Sequence, residues 1–185
     1  MGDARGRMLR GDLYDAGDPE LAAGRRRCAD LLHRLNGLSN ADRPTRTAVL
    51  SELLGAIGAG STIVSPFFCD YGAQITVGER CFVNAGAVML DCAAVTIGDD
   101  VQMGPNVQLL TATHPVEAAE RASGWELAHP ITIGSGAWLG GGVIVGPGVT
   151  VGERTVVGAG AVVVRDLPAD VVAVGNPARV IRRLA

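Results

Sequence analysis

The sequence predicts a mainly β protein: a parallel β-helix of hexapeptide repeats, preceded by a short helical segment and interrupted by one excursion loop. Two observations predict the repeat: an aliphatic residue recurs at every sixth position, and a glycine usually follows it. A third is composition, with 48% apolar residues and 26 glycines but only 4% aromatics. Such a core must be filled by small and β-branched side chains, which suits closely stacked strands.

The first 56 residues are predicted to form an N-terminal helical segment. Asp18 and Pro19 have the residue types of an N-cap and a first helical position, and leucines at helical spacing follow them up to Gly37. A second helix is predicted from near Pro44 to Gly55. Residues 57–185 are assigned to the β-helix domain, which includes a C-terminal tail.

The strict repeat occupies the C-terminal third of the chain. Its aliphatic members are Ile133, Leu139, Val145, Val151, Val157 and Val163. Two earlier blocks keep the same period, and they are Val77, Val83, Met89 and then Ile97, Met103, Leu109. A helix would show a period of 3.6 and a single strand would be shorter, so a period of six indicates a solenoid in which each repeat is one short strand and a turn.

Residues 110–130 keep no repeat, and we expect them to leave the solenoid as an excursion loop. This stretch contains the segment TATHP at 111–115, with His114, one of three histidines in the chain. The regular coils bury aliphatic side chains, so a titratable residue at the interruption is a candidate functional residue, although a lone histidine is more often structural or solvated.

Composition also excludes several classes of partner. The net charge of −3 argues against binding to nucleic acid, and no apolar run approaches the roughly 20 residues of a membrane span. The four cysteines form no CxxC pair, and we expect them to be reduced packing residues of a cytoplasmic protein. The arginines at 25–27 are expected on a solvated helix face.

Several segments resemble the maltose and galactoside O-acetyltransferases, which include the nodulation acetyltransferases. The resemblance runs from about Met8 to Ile181 through DYGAQITVGERCFVNAGAVMLD, GPNVQLLTATHP, ITIGSGAWLGGGVIVGPGVTVG and VGNPARVIRR. It implies a left-handed β-helix with three strands per coil, and a homotrimer whose active sites lie between subunits. It further implies acetyl coenzyme A as donor, a sugar hydroxyl as acceptor and no metal.

The resemblance also implies the catalytic residues. His114 matches the family's histidine, and a neutral imidazole can take the proton of an attacking hydroxyl. Asn84 matches an asparagine that contacts the acceptor and supports the reacting centre. Glu126 matches an acidic position, where a carboxylate would orient the imidazole.

Acceptor binding is expected from Asp70 and Asp91 together with Asn84, and Asp15 lies near a further acceptor position of the family. Carboxylates and amides are natural partners of sugar hydroxyls. One departure concerns Gly86, where the family usually has Asn or Asp. A smaller or less polar pocket wall is expected there.

Donor binding is expected along the C-terminal coils. The backbone N–H of Gly141 would lie at the thioester and serve the oxyanion. Guanidinium groups bind phosphate bidentately, which suits the basic positions of the tail. The expected donor residues are Gly141, Ala159, Val164, Arg165, Arg179 and Arg182.

Three alternatives to a sugar O-acetyltransferase follow. One is an acyltransferase of the same fold that acts on an antibiotic, an amino sugar or a cell-envelope precursor. Another is a non-catalytic trimeric scaffold, which the joint presence of His114, Asn84 and the arginines disfavours. A zinc enzyme of the carbonic-anhydrase type needs three converging histidines, and one of the three here lies on the predicted N-terminal helix.

Overall fold

The computed structural model describes residues 3–185. Its helices are α1 Ala4–Arg10, α2 Pro19–Gly37, α3 Arg43–Leu53 and α4 Ala118–Arg121. Asp18 caps α2 as predicted, because its side chain accepts a hydrogen bond from the N–H of Glu20 at 2.8 Å. Helix α1 was not predicted, because its 7 residues bury only Met8 and therefore show no apolar period.

Twenty strands follow the chain from the N-terminal segment to the tail. They are β1 Tyr14–Asp15, β2 Ala56–Ile57, β3 Thr62–Ile63, β4 Phe67–Cys69, β5 Ile75–Val77, β6 Phe82–Val83, β7 Ala87–Leu90, β8 Val95–Ile97, β9 Gln102–Met103, β10 Gln108–Leu110, β11 Ala112–Thr113, β12 Trp125–Ala128, β13 Ile131–Ile133, β14 Trp138–Leu139, β15 Ile144–Val145, β16 Thr150–Val151, β17 Val156–Val157, β18 Val162–Val163, β19 Val171–Val174 and β20 Arg179–Arg183.

These strands form a mainly β solenoid of about six turns, which confirms the predicted fold class. From β2 to β10 and from β13 to β19, consecutive strands belong to different sheets, and each pairs in parallel with a strand one coil away, whereas the last strand β20 pairs antiparallel with β19. The three sheets have the orders β2-β5-β8-β13-β16, β4-β7-β10-β15-β18 and β3-β6-β9-β14-β17-β19-β20. The coil thus has three walls and three corners.

The hexapeptide positions point into the solenoid. Val77, Ile97, Ile133 and Val151 form one inward column, and every member is at most 2% exposed. The neighbouring strand positions, such as Thr76 and Thr132, face outward, so a strand of two or three residues is enough to define each wall. The core is therefore a stack of aliphatic layers, as the low aromatic content predicts.

The first coil was not recognised from the sequence. Strand β2 pairs in register with β5, so that Ile57 lies beside Val77, and Cys69 of β4 lies beside Met89. Both Ile57 and Cys69 are half-buried rather than buried, and the helices cover this end of the solenoid. The period was weak here because the end coil carries a cysteine and partly exposed side chains.

The excursion leaves after β10 and returns at β13, as predicted, but it is ordered. Strands β11 and β12 form an antiparallel hairpin with α4 between them, and β1 of the N-terminal segment adds a third strand. Tyr14 lies opposite Glu126, and Asp15 lies opposite Trp125. The N-terminal segment is thus joined to the excursion by a sheet.

A second, smaller core lies beneath this junction. We call it the N-terminal core, and its buried members are Met8, Tyr14, Leu21, Tyr71, Cys92, Ala93 and Ala128. It combines α1, α2, two coils and the end of β12. The four cysteines of the chain are free thiols, three of them buried, in agreement with a packing role.

Candidate active site

A cleft of about 320 Å³ lies between the excursion and one corner of the solenoid. His114 follows β11 and is exposed at this cleft, while Glu126 of β12 lies half-buried in its wall. Asp70 follows β4 at the same corner. The structure therefore brings together three of the predicted site residues from distant parts of the sequence.

Glu126 is held from the N-terminal segment. The hydroxyl of Tyr14 donates a hydrogen bond of 2.8 Å to Oε2 of Glu126. Tyr14 has no exposed surface, and burial raises the pKa of its hydroxyl far above the ordinary value. The hydroxyl therefore stays protonated and acts as a donor. The predicted role of Glu126 in orienting His114 stays a prediction.

Asp70 lines the same cleft in a half-buried, partly desolvated position. Burial raises its pKa, and the thiol of Cys92 donates to its Oδ2 at 3.4 Å, which works in the opposite direction. Burial also raises the pKa of Cys92 to about 12, so the thiol is neutral at physiological pH. The wall thus offers a carboxyl group and a thiol to a ligand.

A guanidinium group closes another side of the cleft. Arg25 of α2 donates to the Tyr71 hydroxyl at 2.8 Å and to the carbonyl of Ala16 at 2.7 Å. Its charge also lowers the pKa of Asp70 against the effect of burial. The expectation that Arg25 belongs to a solvated face was wrong, because the N-terminal turn folds back against α2 and covers it.

Two predicted acceptor residues are placed away from the cleft surface. Asp91 has no exposed surface, and its carboxylate accepts the backbone N–H groups of Asp70, Tyr71 and Gln74 at 2.8–3.2 Å. It organises the turn that presents Asp70. Asp15 is exposed and closes a local turn by accepting the N–H of Gly17, while its neighbour Ala16 lines the cleft.

A second group of predicted residues lies at a different corner. The N–H groups of Asn84, Gly104 and Gly140, at the ends of β6, β9 and β14, each donate to a carbonyl of the following coil, and these bonds form one continuous column. Gly141 and Ala159 continue this corner, where Gly141 accepts the N–H of Gly160 at 2.9 Å. The cleft lining includes none of these residues. One chain therefore presents the predicted site as two separate halves.

Gly141 fits a position that needs close approach. A Cβ there would lie 3.3 Å from both the carbonyl oxygen and Cδ of Pro105, closer than most side chains tolerate. Its corner is half-buried, and the neighbouring Gly142 and Gly160 have nothing within 4 Å of a Cβ. Glycine at these three positions therefore leaves part of this corner without side chains.

Gly86 has a backbone role in this structure. It has a φ of 80°, and a Cβ there would overlap Oδ1 of Asn106. Its N–H donates to the carbonyl of Pro66 at 2.7 Å. Gly86 is therefore required by the turn between β6 and β7, and its expected effect on the pocket wall stays a prediction.

The other predicted donor residues are exposed on the C-terminal coils. Val164 and Arg165 follow β18, on the same corner as the excursion. Arg179 and Arg182 lie on β20, which pairs antiparallel with β19 at the end of the solenoid. Their positions leave the side chains open to a ligand.

Sequence reasoning missed the polar cleft residues Arg25, Tyr71 and Cys92, and it missed Tyr14, which is buried behind the cleft and bonds to Glu126. Tyr14 and Arg25 lie in the helical segment, far in sequence from the repeats, and their positions depend on long-range packing. Cys92 directly follows Asp91, so the residue that lines the cleft is the neighbour of the one that was predicted. Within residues 3–185 no three His, Cys, Asp or Glu side chains converge as a metal site would require, and no described helix is long and apolar enough to cross a membrane.

Two family profiles match the sequence. The maltose acetyltransferase hexapeptide capping motif matches residues 7–58, and the bacterial transferase hexapeptide repeats match residues 130–165. Nodulation protein L of Rhizobium leguminosarum bv. viciae is 47% identical over 94% of this chain and 92% of its own length.

Two solved structures superpose over nearly the whole chain. A maltose O-acetyltransferase from Clostridium difficile 630 has a TM-score of 0.97 and 41% identity, covering 98% of this chain and 97% of its own. A hexapeptide-repeat-containing acetyltransferase from Vibrio cholerae O1 biovar eltor, complexed with acetyl coenzyme A, has a TM-score of 0.92 and 37% identity, covering 98% of each chain. The chain belongs to the hexapeptide-repeat acetyltransferases that include the maltose and galactoside O-acetyltransferases.

Proposed function

We propose that the protein moves an acetyl group from acetyl coenzyme A to a hydroxyl of a maltose-, glucose- or galactoside-like sugar. The observation that carries this proposal is the shared cleft of His114, Glu126 and Asp70. The similar maltose O-acetyltransferase and the acetyl coenzyme A complex support the acceptor and donor classes.

The chemistry requires a base, a stabiliser of negative charge and a means of holding both reactants together. Acetyl coenzyme A supplies the acetyl group as a thioester. His114 takes the proton of the sugar hydroxyl as its oxygen forms a bond to the thioester carbonyl carbon. When the C–S bond breaks, His114 returns that proton to the sulfur.

Polar groups around the cleft suit a sugar. Asp70 can accept from hydroxyl groups, and Arg25 and Glu126 line the same cleft. Asn84 offers both a donor and an acceptor, and its Oδ1 accepts the N–H of Ala85 at 2.8 Å, which leaves the amide N–H₂ for a ligand. We assign acceptor binding to Asp70 and Asn84, with Asp91 supporting Asp70 from behind.

The donor would lie along the corner of Gly141 and Ala159. The N–H of Gly141 would stabilise the developing oxyanion, and Arg179 and Arg182 would meet the coenzyme phosphates. Val164 and Arg165 would line the path of the pantetheine and nucleotide.

We further propose a homotrimer with active sites between subunits. In one chain the corner that holds Asn84 and Gly141 is separate from the cleft that holds His114, so a complete site needs a second copy. Three-walled coils can pack corner to wall around a threefold axis, which would bring the two halves together.

Thiol release from acetyl coenzyme A tests the proposed function. The assay measures free thiol colorimetrically across a panel of sugars, antibiotics and amino sugars, with wild type and His114→Ala. We expect sugar-dependent release that falls by about 10²- to 10⁴-fold in the variant, the usual contribution of a general base. His33→Ala, a change on the exposed face of α2, is the matched control. Release that survives the loss of His114 would overturn the mechanism, and release with an antibiotic alone would overturn the acceptor class.

A further inference from the structure

We propose that Tyr14 is a positioning residue that acts on the reaction through Glu126. Its hydroxyl fixes one oxygen of the Glu126 carboxylate, and Glu126 lines the same cleft as His114. This inference rests on the proposed function and gives the N-terminal segment a part in it.

The bond joins two residues that the backbone also holds together. Tyr14 and Glu126 are directly opposed partners in the antiparallel pair of β1 and β12, and their side chains meet at 2.8 Å. Oε2 is engaged by this bond, which leaves Oε1 for other partners. A carboxylate fixed at one oxygen has far fewer orientations than one that is anchored only by its own rotamers.

Tyr14 is itself held rigidly. It has no exposed surface and packs within the N-terminal core beside Met8 and Leu21. A buried hydroxyl without a partner would be costly, so the bond to Glu126 also satisfies Tyr14. The packing of the ring therefore fixes the position of the Tyr14 hydroxyl.

Two other polar groups around the cleft have different hydrogen-bond partners and do not bond to Glu126. Arg25 donates to Tyr71 and to a backbone carbonyl, and the Cys92 thiol donates to Asp70. The side-chain hydrogen bond to Glu126 thus comes from Tyr14, although a guanidinium and a thiol lie in the same cleft.

Tyr14→Phe tests the proposal because it keeps the ring and removes the hydroxyl. We expect kcat to fall roughly tenfold, the effect of losing one hydrogen bond to a charged group, with KM for acetyl coenzyme A unchanged. Met8→Leu, a change within the same core, is the matched control and should keep kcat.

A double-mutant cycle tests the route through Glu126. In a Glu126→Ala background, Tyr14→Phe should have no further effect on kcat, because the group on which it acts is gone. Equal losses in both backgrounds would overturn the proposal, as would an unchanged kcat in Tyr14→Phe alone. A Glu126→Ala variant with wild-type kcat would also overturn it, yet would leave the proposed function intact if His114→Ala still abolished thiol release.

Discussion

Asp70 shows how one wall of the cleft sets the charge of a site residue. Burial raises its pKa, while the thiol of Cys92 and the charge of Arg25 oppose the shift. Asp91 lies behind it with its carboxylate fully surrounded by backbone donors, and burial raises the pKa of that group as well. Burial and the proximity of the two carboxyl groups both favour the protonated form.

This arrangement predicts a pH-dependent effect of Asp70→Asn on stability. The unfolded chain releases the Asp70 proton near the ordinary value of about 3.9, whereas the folded chain keeps it to a higher pH. As the pH rises from about 3.9 through the raised pKa of folded Asp70, the free energy of unfolding of wild type therefore falls relative to that of the variant. Above that pKa the difference between the two proteins becomes constant.

Urea unfolding of both proteins from about pH 4 to 7 measures this difference. The ion pairs of Asp100 and Asp170 with arginines are common to both proteins and cancel. A constant difference across this range would contradict the predicted shift.

In the solenoid, the residue type is restricted more strongly at the corners between strands than along the walls. Walls need only an inward aliphatic position, but several corners require a positive φ, which glycine provides at Gly86, Gly136 and Gly160. Non-glycine residues occupy other such corners, among them Arg80 and Arg154, each paired with an aspartate of the next coil. The repeat is thus fixed by turn geometry as much as by burial.

Gly86→Ala tests the corner requirement. Alanine at a positive φ costs about 1 kcal/mol by itself, and the overlap with Asn106 adds to it, for a total of roughly 2–3 kcal/mol. Gly160→Ala is the matched control, because its φ is 71° and nothing lies within 4 Å of a Cβ. It should cost only the backbone part. Chemical unfolding measures both, and equal losses would show that the contact with Asn106 adds nothing.

Elements with a local cause could be predicted from the sequence. The inward columns from Val77 to Val163 were predicted because each position must be aliphatic in every coil, and Asp18 was predicted because a cap is a contact between near neighbours. The hairpin of the excursion and the strand β1 were not, since their pairing joins residues that share no period. The bond between Tyr14 and Glu126 spans 112 positions, and no spacing rule connects them.

For the candidate site, the sequence predicts which residues to consider but not which of them share a cleft. His114, Glu126 and Asp70 do share a cleft, whereas Asp91 is buried behind it and Asn84 lies at another corner. A match of motifs assigns residue types to positions and carries no information on which corner of the solenoid each one faces. That depends on the sum of all coil lengths, including the slips and the excursion.

Mixed trimers test the arrangement of the whole molecule. His114→Ala and Asn84→Ala should each be inactive alone. If a site combines His114 of one subunit with Asn84 of the next, random mixing restores about a quarter of the sites. Each interface can pair the two variants in four ways, and only one of them brings an unchanged His114 to an unchanged Asn84. Co-refolding or co-expression followed by the thiol assay measures this. A mixture as inactive as its parents would place both residues in one chain's site and exclude the shared arrangement.

The pairing of β1 with β12 has a consequence for the order of events during synthesis. Tyr14 is made more than a hundred residues before its strand partner, which follows three coils of the solenoid. Until β12 has been made, β1 has no edge to join. If Tyr14 positions Glu126 as proposed, full activity would therefore begin only when β1 and β12 have paired, after these three coils have already been made.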